Sequence, residues 1–555
     1  MQHRAVKRRT VVVGLGATAG VAAIGGIAFN AQATDARKGS PASSGALVFD
    51  AADYTELTET IADAAGTDHV VKYHFYKPRN YVTAPSDDTH QSLVVSVPVT
   101  IDGKAVDASR APIVLANAVG AYMPSSVAEA TGVGQAALEM GSIGGGPGGD
   151  SSGAPSGEPS GMPSGGPGGD GQGDGGPGGG GTGGINGMVN LAKLALVAGY
   201  VAVEPGTRGR SLTTSDGTLY GAAPAVIVDL KAAVRYVRFN KGRIPGNTDR
   251  IVSTGTSAGG ATSALLGASG DSPIYDKYLK EAGAAHASDA VFATAAWCPI
   301  TDLEHADGAY EWNWGSNSTR STGTVVDQTV SKALQAQFAE YQASLKLRGL
   351  NRYGTLTARN YDHYLLTTYM QPSATKYLAA LSESERTAYL AENTFITWSG
   401  GKATFTWADY VAHVGNRKKT APAFDAFDLS AGENNEFGKG AVESRHFTAY
   451  SLRNDATGAT GKRLDSDIPE KLNLMNPMYH IVTKRNPSRS KHWWIRLGTS
   501  DTDTSHVISA NLAAALDNLG DNVSHSFYWD QGHGTNTDPG DFITWIAKVT
   551  GYKKK

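Results

Sequence analysis

A serine flanked by glycines occurs near the middle of the chain, in the stretch GTSAGG at residues 255–260. The pattern Gly-x-Ser-x-Gly is typical of a serine nucleophile on a tight turn between a strand and a helix. The same pattern surrounds Ser151 in GDSSG at residues 149–153. With 68 glycines among 555 residues, such matches are expected by chance, so the pattern alone does not choose between Ser257 and Ser151.

The surroundings of the two serines separate them. Ser257 follows the predicted strand RIVST and precedes a small-residue segment with a helical pattern, which is the setting that a nucleophile turn requires. Ser151 lies within residues 144–184, a run of glycine, proline and serine with a few acidic residues. This composition buries too little apolar surface to offset the entropy of ordering, so we interpret it as a disordered surface insertion. Ser257 is therefore the candidate nucleophile.

A serine at its ordinary pKa needs a base and an acid that orients the base. In this architecture the chain order is serine, acid, histidine, with acid and histidine each placed after a late strand. Asp501 follows the predicted strand WWIRLG, and His533 follows the next strand in the loop QGHG. We predict that Ser257, Asp501 and His533 form a triad, and Asp503 is the alternative acid. Three further residues fit this order less well: His525, His506 and Asp530.

Acyl transfer also requires donors directed at the oxyanion that develops on the substrate carbonyl. One predicted donor is the backbone N–H of Ala258, directly after the nucleophile. The second is expected in the loop LANAVGAYMP, where Gly120 is our choice. This chemistry requires neither a metal ion nor a cofactor.

The elements that must position these residues alternate between strand and helix. Buried strands and helices follow one another through residues 45–302 and again through 476–555, which predicts an α/β fold with a mostly parallel sheet. Residues 303–475 lack this alternation and contain amphipathic helical patterns, as in SKALQAQFAEYQASLKLRG and SATKYLAALSESERTAYLAEN. We interpret this segment as an insertion that forms a cap or lid over the site.

The N-terminus is typical of an export signal. Residues 1–33 contain a basic start, a weakly apolar run and an Ala-x-Ala cleavage pattern that ends at Ala33. Arg8 and Arg9 favour the twin-arginine route over the general route. The alternative is a membrane anchor, but the apolar run is shorter than the roughly 20 residues that a span needs. We therefore expect a secreted or cell-surface bacterial protein without stable membrane insertion after cleavage.

Charge and cysteine content argue against a nucleic-acid-binding protein and against a disulfide-stabilised fold. The formal net charge is −3 and no continuous basic segment follows the signal, so a nucleic-acid partner is not expected. Cys298 is the single cysteine, which rules out an intrachain disulfide. It ends an apolar run and is interpreted as a buried filler rather than a nucleophile.

Several segments together resemble the bacterial tannases, the tannin acyl hydrolases of the α/β-hydrolase fold. The resemblance runs from about residue 90 to the C-terminus, without the glycine-rich insertion. It implies an α/β-hydrolase core with a helical cap. The segments that carry it are GYVAVEPGTRGR, GTSAGGA, WCPITDLEHADGAYEW, APAFDAFDLSAGENNEFG, GTSDTDTS and the late Gly-His pair.

The resemblance also implies the triad above and a set of residues that bind the substrate. Asp503, Lys419 and Glu433 would hold the phenolic hydroxyls of a galloyl group, and Lys418 is adjacent to the assigned lysine. Charged carboxylates accept strong hydrogen bonds from such hydroxyls, and a lysine donates to the same oxygens.

The predicted function is that of an exported serine esterase that cleaves galloyl esters through an acyl-enzyme and releases gallate. Its partners would be small polyphenol gallate esters. A feruloyl or carbohydrate-acetyl esterase is the nearest alternative, and a non-catalytic exported binding protein on a hydrolase fold is an alternative of another class. The glycine-rich segment at 144–184 is interpreted either as a spacer or as a tether to cell-wall material.

Overall fold

The fold is built around one central sheet. The computed structural model of the protein describes residues 44–77, 80–139, 189–459 and 461–553. The predicted export signal at 1–33 and the glycine-rich insertion at 144–184, with Ser151, lie outside the described residues. Strands in the described part are β1 Thr55–Ala62, β2 Asp68–Tyr76, β3 Leu93–Ile101, β4 Lys104–Ala105, β5 Pro112–Ala116, β6 Ser125–Ser126, β7 Ala137–Leu138, β8 Val201–Pro205, β9 Asn247–Thr256, β10 Ala293–Trp297, β11 Arg348–Gly349, β12 Gly354–Thr355, β13 Thr397–Ser399, β14 Lys402–Thr404, β15 His492–Gly498 and β16 Asn522–Tyr528.

Ten of these strands form one mixed sheet with the order β1-β2-β3-β8-β5-β9-β10-β15-β16, and β4 pairs with β3. The first three strands pair antiparallel, and β3 also pairs antiparallel with β8. From β8 to β16 every neighbouring pair is parallel. The predicted mostly parallel α/β sheet is thus confirmed, and parallel pairing brings the carboxyl ends of β5, β9, β10, β15 and β16 to one edge.

Helices cover both faces of this sheet, as buried parallel strands require. In β5, the side chains of Ile113 and Leu115 join one cluster of buried apolar residues, and Val114 joins another. Because successive side chains of a strand point to opposite faces, the two clusters lie on the two sides of the sheet.

The helices are α1 Leu191–Val197, α2 Ala225–Phe239, α3 Ala258–Ala268, α4 Asp276–Glu281, α5 Leu303–Trp314, α6 Gln328–Leu345, α7 Tyr361–Leu365, α8 Gln371–Ala380, α9 Glu383–Glu392, α10 Trp407–Val414, α11 Gly432–Glu436, α12 Ala449–Arg453, α13 Ile468–Met475, α14 His506–Asn518 and α15 Pro539–Thr550.

The segment between β10 and β15 contains α5 to α13 and two short antiparallel hairpins, β11–β12 and β13–β14. The pattern SATKYLAALSESERTAYLAEN forms two helices, α8 and α9, rather than one. Ser382 begins α9 by accepting from the N–H of Glu385, whose side chain in turn accepts from the N–H of Ser382. This reciprocal cap starts a new helix at that point in the chain. Among the described helices, none combines the length and the apolar character needed to cross a membrane.

Candidate active site

Ser257 occupies the single position between the end of β9 and the start of α3. Its backbone has φ 61° and ψ −125°, a sparsely populated combination for a residue with a side chain. The N–H of Ser257 donates to the carbonyl of Trp297, the last residue of β10, at 3.0 Å. Such strained conformations persist only where surrounding structure enforces them. The turn therefore presents the hydroxyl at the carboxyl edge of the sheet.

The glycines of the opening motif are required by close backbone approach. A Cβ at Gly255 would lie 2.4 Å from the carbonyl oxygen of Gly259, and one at Gly259 would lie 2.6 Å from that of Val119. A Cβ at Gly260 would lie 2.3 Å from the carbonyl oxygen of Trp297. Larger residues at these positions would push β9, α3 and the loop after β5 apart.

Three sequence-predicted residues meet at this turn. Ser257 Oγ lies 2.8 Å from Nε2 of His533, and Nδ1 of His533 lies 2.8 Å from Oδ2 of Asp501. His533 lies in the loop after β16, and the fully buried Asp501 follows β15. The other carboxylate oxygen of Asp501 accepts from the N–H of Asp503 at 2.9 Å. This hydroxyl–imidazole–carboxylate series has the geometry in which the imidazole takes a proton from the hydroxyl while the carboxylate fixes its orientation.

Burial lowers the pKa of His533, but the nearby Asp501 carboxylate and, after it, Cys298 outweigh this effect, so the pKa lies well above that of a free imidazole. Cys298 is also close to this pair: its sulfur and ligating atoms of Asp501 and His533 lie within 4.8 Å of one another. The cysteine is 2 % exposed and has φ 38°. It is thus a buried residue, but one that contacts the site rather than a remote part of the core.

The competing residues have other partners. His506 is the first residue of α14, where its Nε2 lies 3.2 Å from the carbonyl oxygen of Gly498 and burial lowers its pKa to about 4. His525 lies inside β16 and pairs with the hydroxyl of Tyr369 at 3.0 Å. Asp530 accepts hydrogen bonds from other side chains, namely Tyr389 and His413.

The loop that contains Gly120 is tied to the serine turn by Asn117, which the sequence did not single out. The Nδ2 of Asn117 donates to the carbonyls of Thr254 and Gly259 and to Oγ of Ser263, at 3.0, 3.2 and 2.9 Å. Its Oδ1 accepts from the N–H of Val119 at 3.2 Å. Ala258 is the first residue of α3, where N–H groups have no acceptor within the helix. The two predicted donor positions thus belong to segments that are bonded to each other.

The predicted binding residues belong to two lysine–carboxylate pairs. Lys418 Nζ lies 2.7 Å from Oδ1 of Asp503, and Lys419 Nζ lies 3.5 Å from Oε1 of Glu433 at the start of α11. Burial by itself would raise the pKa of Asp503, but the charges of His533 and Lys418 have the larger effect. The pKa therefore lies below its ordinary value, and the carboxyl group is ionised at neutral pH. The side chains of the three predicted binding residues are thus largely buried, and the adjacent Lys418 pairs with one of them.

The two pairs are connected through Tyr310 of α5. Its hydroxyl accepts from the N–H of Lys419 at 3.1 Å and donates to the carbonyl of Thr502 at 2.7 Å. Thr502 stands between Asp501 and Asp503, so one phenol joins the lysine segment to the loop of the acids.

Comparison with known structures identifies the family. The tannase of Fusobacterium nucleatum is 33% identical, with a TM-score of 0.72, over 91% of this chain and 99% of that chain. The tannin acyl hydrolase of Lactobacillus plantarum is 31% identical, with a TM-score of 0.70 and the same coverage of both chains. The chain belongs to the bacterial tannases. The expected resemblance and the α/β-hydrolase fold are thereby confirmed, and the tannase is a carboxylic ester hydrolase.

Two further comparisons bear on this assignment. The family model described as BD-FAE matches residues 188–344 of the tannase, which include the serine turn. A structure titled as a tannin acyl hydrolase in complex with ethyl gallate is 30% identical, with a TM-score of 0.70, and covers 91% of this chain and 99% of that chain. A search of curated proteins found no match.

A buried ion pair supports the lysine segment of the tannase. The guanidinium of Arg417 donates to the carboxylate of Glu311 in α5, and neither side chain is exposed. The Nε of Arg417 donates to the carbonyl of Lys419 at 2.8 Å, and Nη2 donates to that of Thr420 at 2.9 Å. One signal was available in the sequence, because an arginine directly before two lysines stands out in a segment with few other charges.

Proposed function

We propose that this tannase hydrolyses galloyl esters through a covalent galloyl-enzyme formed on Ser257. The observation that carries the proposal is the position of His533, whose two ring nitrogens each lie 2.8 Å from an oxygen, one of Ser257 and one of Asp501. A base held in this way can activate a serine hydroxyl at neutral pH. Asp501, rather than Asp503, is then the orienting acid.

In the proposed reaction, Ser257 attacks the ester carbonyl while His533 takes its proton. The backbone N–H groups of Ala258 and Gly120 stabilise the oxyanion of the tetrahedral intermediate. His533 then protonates the departing alcohol and the carbonyl re-forms as an ester of Ser257. Water, deprotonated by His533, attacks this ester and releases gallate. None of these steps calls for a cofactor.

Recognition of the acyl group is assigned to the two lysine–carboxylate pairs. A galloyl ring carries three adjacent hydroxyls, which are donors to the carboxylates of Asp503 and Glu433. Lys419 donates to the same hydroxyl oxygens and stabilises partial negative charge on them. The complexes of related tannin acyl hydrolases with ethyl gallate and with 3,4-dihydroxybenzoate, a ring with two hydroxyls, support this class of ligand.

We assign catalysis and acyl-group recognition to the two domains expected from the sequence. Residues 45–302, apart from the glycine-rich segment at 144–184, and residues 476–555 would form the core that supplies the triad and the oxyanion donors. Residues 303–475 form the cap, which supplies Lys419 and Glu433. The cap would thus set which acyl group enters, and the core would cleave it.

Export is proposed from the sequence of residues 1–33 alone, and association with the cell wall from the composition of 144–184. Replacing Arg8 and Arg9 by lysine should retain the protein in the cell if it uses the twin-arginine route. Secretion that persists in this variant would favour the general route.

The decisive experiment compares hydrolysis of methyl gallate, methyl ferulate and p-nitrophenyl acetate by the purified enzyme. We expect methyl gallate to have the highest kcat/KM. Equal or faster turnover of the other two esters would favour a feruloyl or carbohydrate-acetyl esterase.

Labelling tests the nucleophile separately. A fluorophosphonate should label the native chain and should not label Ser257→Ala. A folded chain that takes no label would be a binding protein on a hydrolase fold instead.

A further inference from the structure

Arg210 lies between the two halves of the candidate site and takes no part in the reaction proposed above. Its backbone N–H donates to the carbonyl of Tyr122 at 2.9 Å, and its Nε donates to the carbonyl of Ala121 at 2.8 Å. Its Nη1 donates to Oδ1 of Asn435 in α11 at 3.0 Å. The residue is 7 % exposed. One buried arginine therefore bonds both the loop that contains Gly120 and the helix that contains Glu433.

The two carbonyls that Arg210 binds belong to residues in an unfavourable conformation. Ala121 has φ 48° and Tyr122 has φ 57°, so two successive residues with side chains adopt the left-handed region. This region costs free energy for such residues and persists only where neighbouring groups enforce it. Gly120 directly precedes the pair, and its carbonyl accepts from the N–H of Met123 at 2.8 Å. The direction of the Gly120 N–H thus depends on a strained turn that Arg210 holds.

Close packing around Arg210 leaves little room for another arrangement. A Cβ at Gly209 would lie 2.1 Å from the backbone nitrogen of Pro124, so the chain of Arg210 and the loop after β5 are in backbone contact. A Cβ at Gly432 would lie 2.7 Å from Nη2 of Arg210, so the guanidinium fills the space over the start of α11. Asn435 is itself fixed, because its Nδ2 donates to the carbonyl of Glu443 at 2.8 Å.

We propose that Arg210 is a positioning residue that sets the oxyanion loop of this tannase relative to both the nucleophile and the ring-binding helix α11. A guanidinium suits this role because its donors lie in one rigid plane and reach several acceptors at once. A lysine lacks this planar fork, so its single ammonium group cannot reproduce the same set of bonds. The inference rests on the proposed function, since it assumes that Gly120 donates to an oxyanion.

The test measures kcat and KM of Arg210→Lys and Arg210→Gln on methyl gallate and on p-nitrophenyl acetate. The matched control is Arg208→Lys, two residues earlier in the same loop. Arg208 is also largely buried and binds a carboxylate, that of Asp229 at 2.8 Å, but its side chain makes no bond to the described part of the loop after β5, residues 117–139. Fluorophosphonate titration of Ser257 gives the concentration of folded sites, to which each kcat is normalised.

We expect Arg210→Gln to lower kcat for both esters by roughly tenfold to a hundredfold, because loss of one oxyanion donor costs about 10²–10³ and displacement costs less. KM for p-nitrophenyl acetate should stay within twofold, and Arg208→Lys should stay within twofold in kcat. Binding of an arylboronic acid, which forms a tetrahedral adduct with the serine, should weaken in parallel with kcat. Arg210→Lys should show a smaller loss of the same kind, and it replaces the glutamine variant if that chain does not fold.

An unchanged normalised kcat in both Arg210 variants, or an equal loss in Arg208→Lys, would overturn the inference. A change confined to KM for methyl gallate would also overturn it, because Arg210 would then act on ring binding alone. Failure of the proposed function is distinguishable from these outcomes because it is measured on the wild-type chain, which would then take no fluorophosphonate label or would not prefer methyl gallate to the other two esters.

Discussion

The ammonium group of Lys418 lies 2.7 Å from the carboxylate of Asp503, whereas the next residue, Lys419, turns to Glu433. Two successive lysines thus neutralise two carboxylates from different elements. Asp503 comes from the loop after β15, and Glu433 comes from α11. A ring with adjacent hydroxyls would meet both acids, each already paired with a cation.

Replacing Asp503 by alanine should impair gallate turnover selectively. The variant loses a charged acceptor, and a hydrogen bond to a charged group contributes about 1.5–3 kcal/mol, which corresponds to roughly tenfold to a hundredfold in kcat/KM for methyl gallate. Turnover of p-nitrophenyl acetate should change little, because the base and its orienting acid remain. Equal losses on the two esters would instead make Asp503 the acid of the triad.

The two lysines should differ in importance. The Lys419 side chain is 21 % exposed and its Nζ lies 3.8 Å from the ring centre of Phe424, whereas Lys418 is 54 % exposed. We expect Lys419→Met to raise KM for methyl gallate by about tenfold and Lys418→Met by less, since exposed ion pairs contribute little. Measured KM values in the reverse order would move the recognition role to Lys418.

Asp501→Asn tests the acid without removing its shape. The amide can present its nitrogen to His533 and so favour the wrong tautomer. In hydrolases with a serine–histidine–aspartate triad this costs about 10⁴ in kcat. We expect a loss of that order on both methyl gallate and p-nitrophenyl acetate, with KM little changed. Circular dichroism and thermal melting serve as controls for folding, and a loss below tenfold would contradict the assignment.

The pH dependence of kcat/KM should reflect the raised pKa of His533. Activity needs the neutral imidazole, so kcat/KM should rise with pH and reach half its maximum above the value of about 6.5 for a free histidine. The free energy of unfolding should change in the opposite direction. A histidine whose pKa is raised by folding stabilises the native state fully below a pH of about 6.5, and this contribution is lost as the pH rises through the pKa of the folded state.

Asp501→Asn removes the carboxylate that raises this pKa and is therefore the matched control for the profile. Its residual activity should reach half-maximum at lower pH than that of the wild type. The difference in melting temperature between the two chains should shrink at high pH. A wild-type midpoint at or below 6.5 would contradict the role of Asp501.

Gly259→Ala should damage the serine turn. The added methyl would lie 2.6 Å from the carbonyl oxygen of Val119, a backbone atom that cannot withdraw without moving the oxyanion loop. We expect a drop in kcat of at least tenfold together with a lower melting temperature. Gly540→Ala in α15 is the control, because its methyl would make an ordinary contact at 3.6 Å with Ala64. Equal behaviour of the two variants would show that Gly259 has no special role.

The sequence was sufficient to predict the sheet and the proximity of Ser257, Asp501 and His533. Alternating strands and helices imply parallel strands, parallel strands share one carboxyl edge, and Asp501 and His533 each follow such a strand. Their convergence on Ser257 thus follows from topology. The candidate binding residues Asp503, Lys419 and Glu433 came instead from the resemblance, because a surface charge and a ligand-binding charge look alike in a single sequence.

The residues that hold the site together were not predictable in this way. Tyr310 and Thr502 are 192 positions apart, and Arg210 and Asn435 are 225 positions apart. Each contact depends on how the segment between β10 and β15 returns to the core, which no local pattern encodes. The role of Asn117 was not predictable from the sequence either, since an asparagine after a strand is usually a turn residue.

The burial of Cys298 has a practical consequence for handling the enzyme. Because the chain contains one cysteine and that residue is 2 % exposed, a cysteine introduced on the surface would be the single readily accessible thiol. Maleimide coupling at such a position would attach a dye, a spin label or a solid support at one chosen point of each molecule. The catalyst could then be immobilised in a defined orientation, with the ester-binding edge of the sheet facing the solvent and no native thiol to be protected.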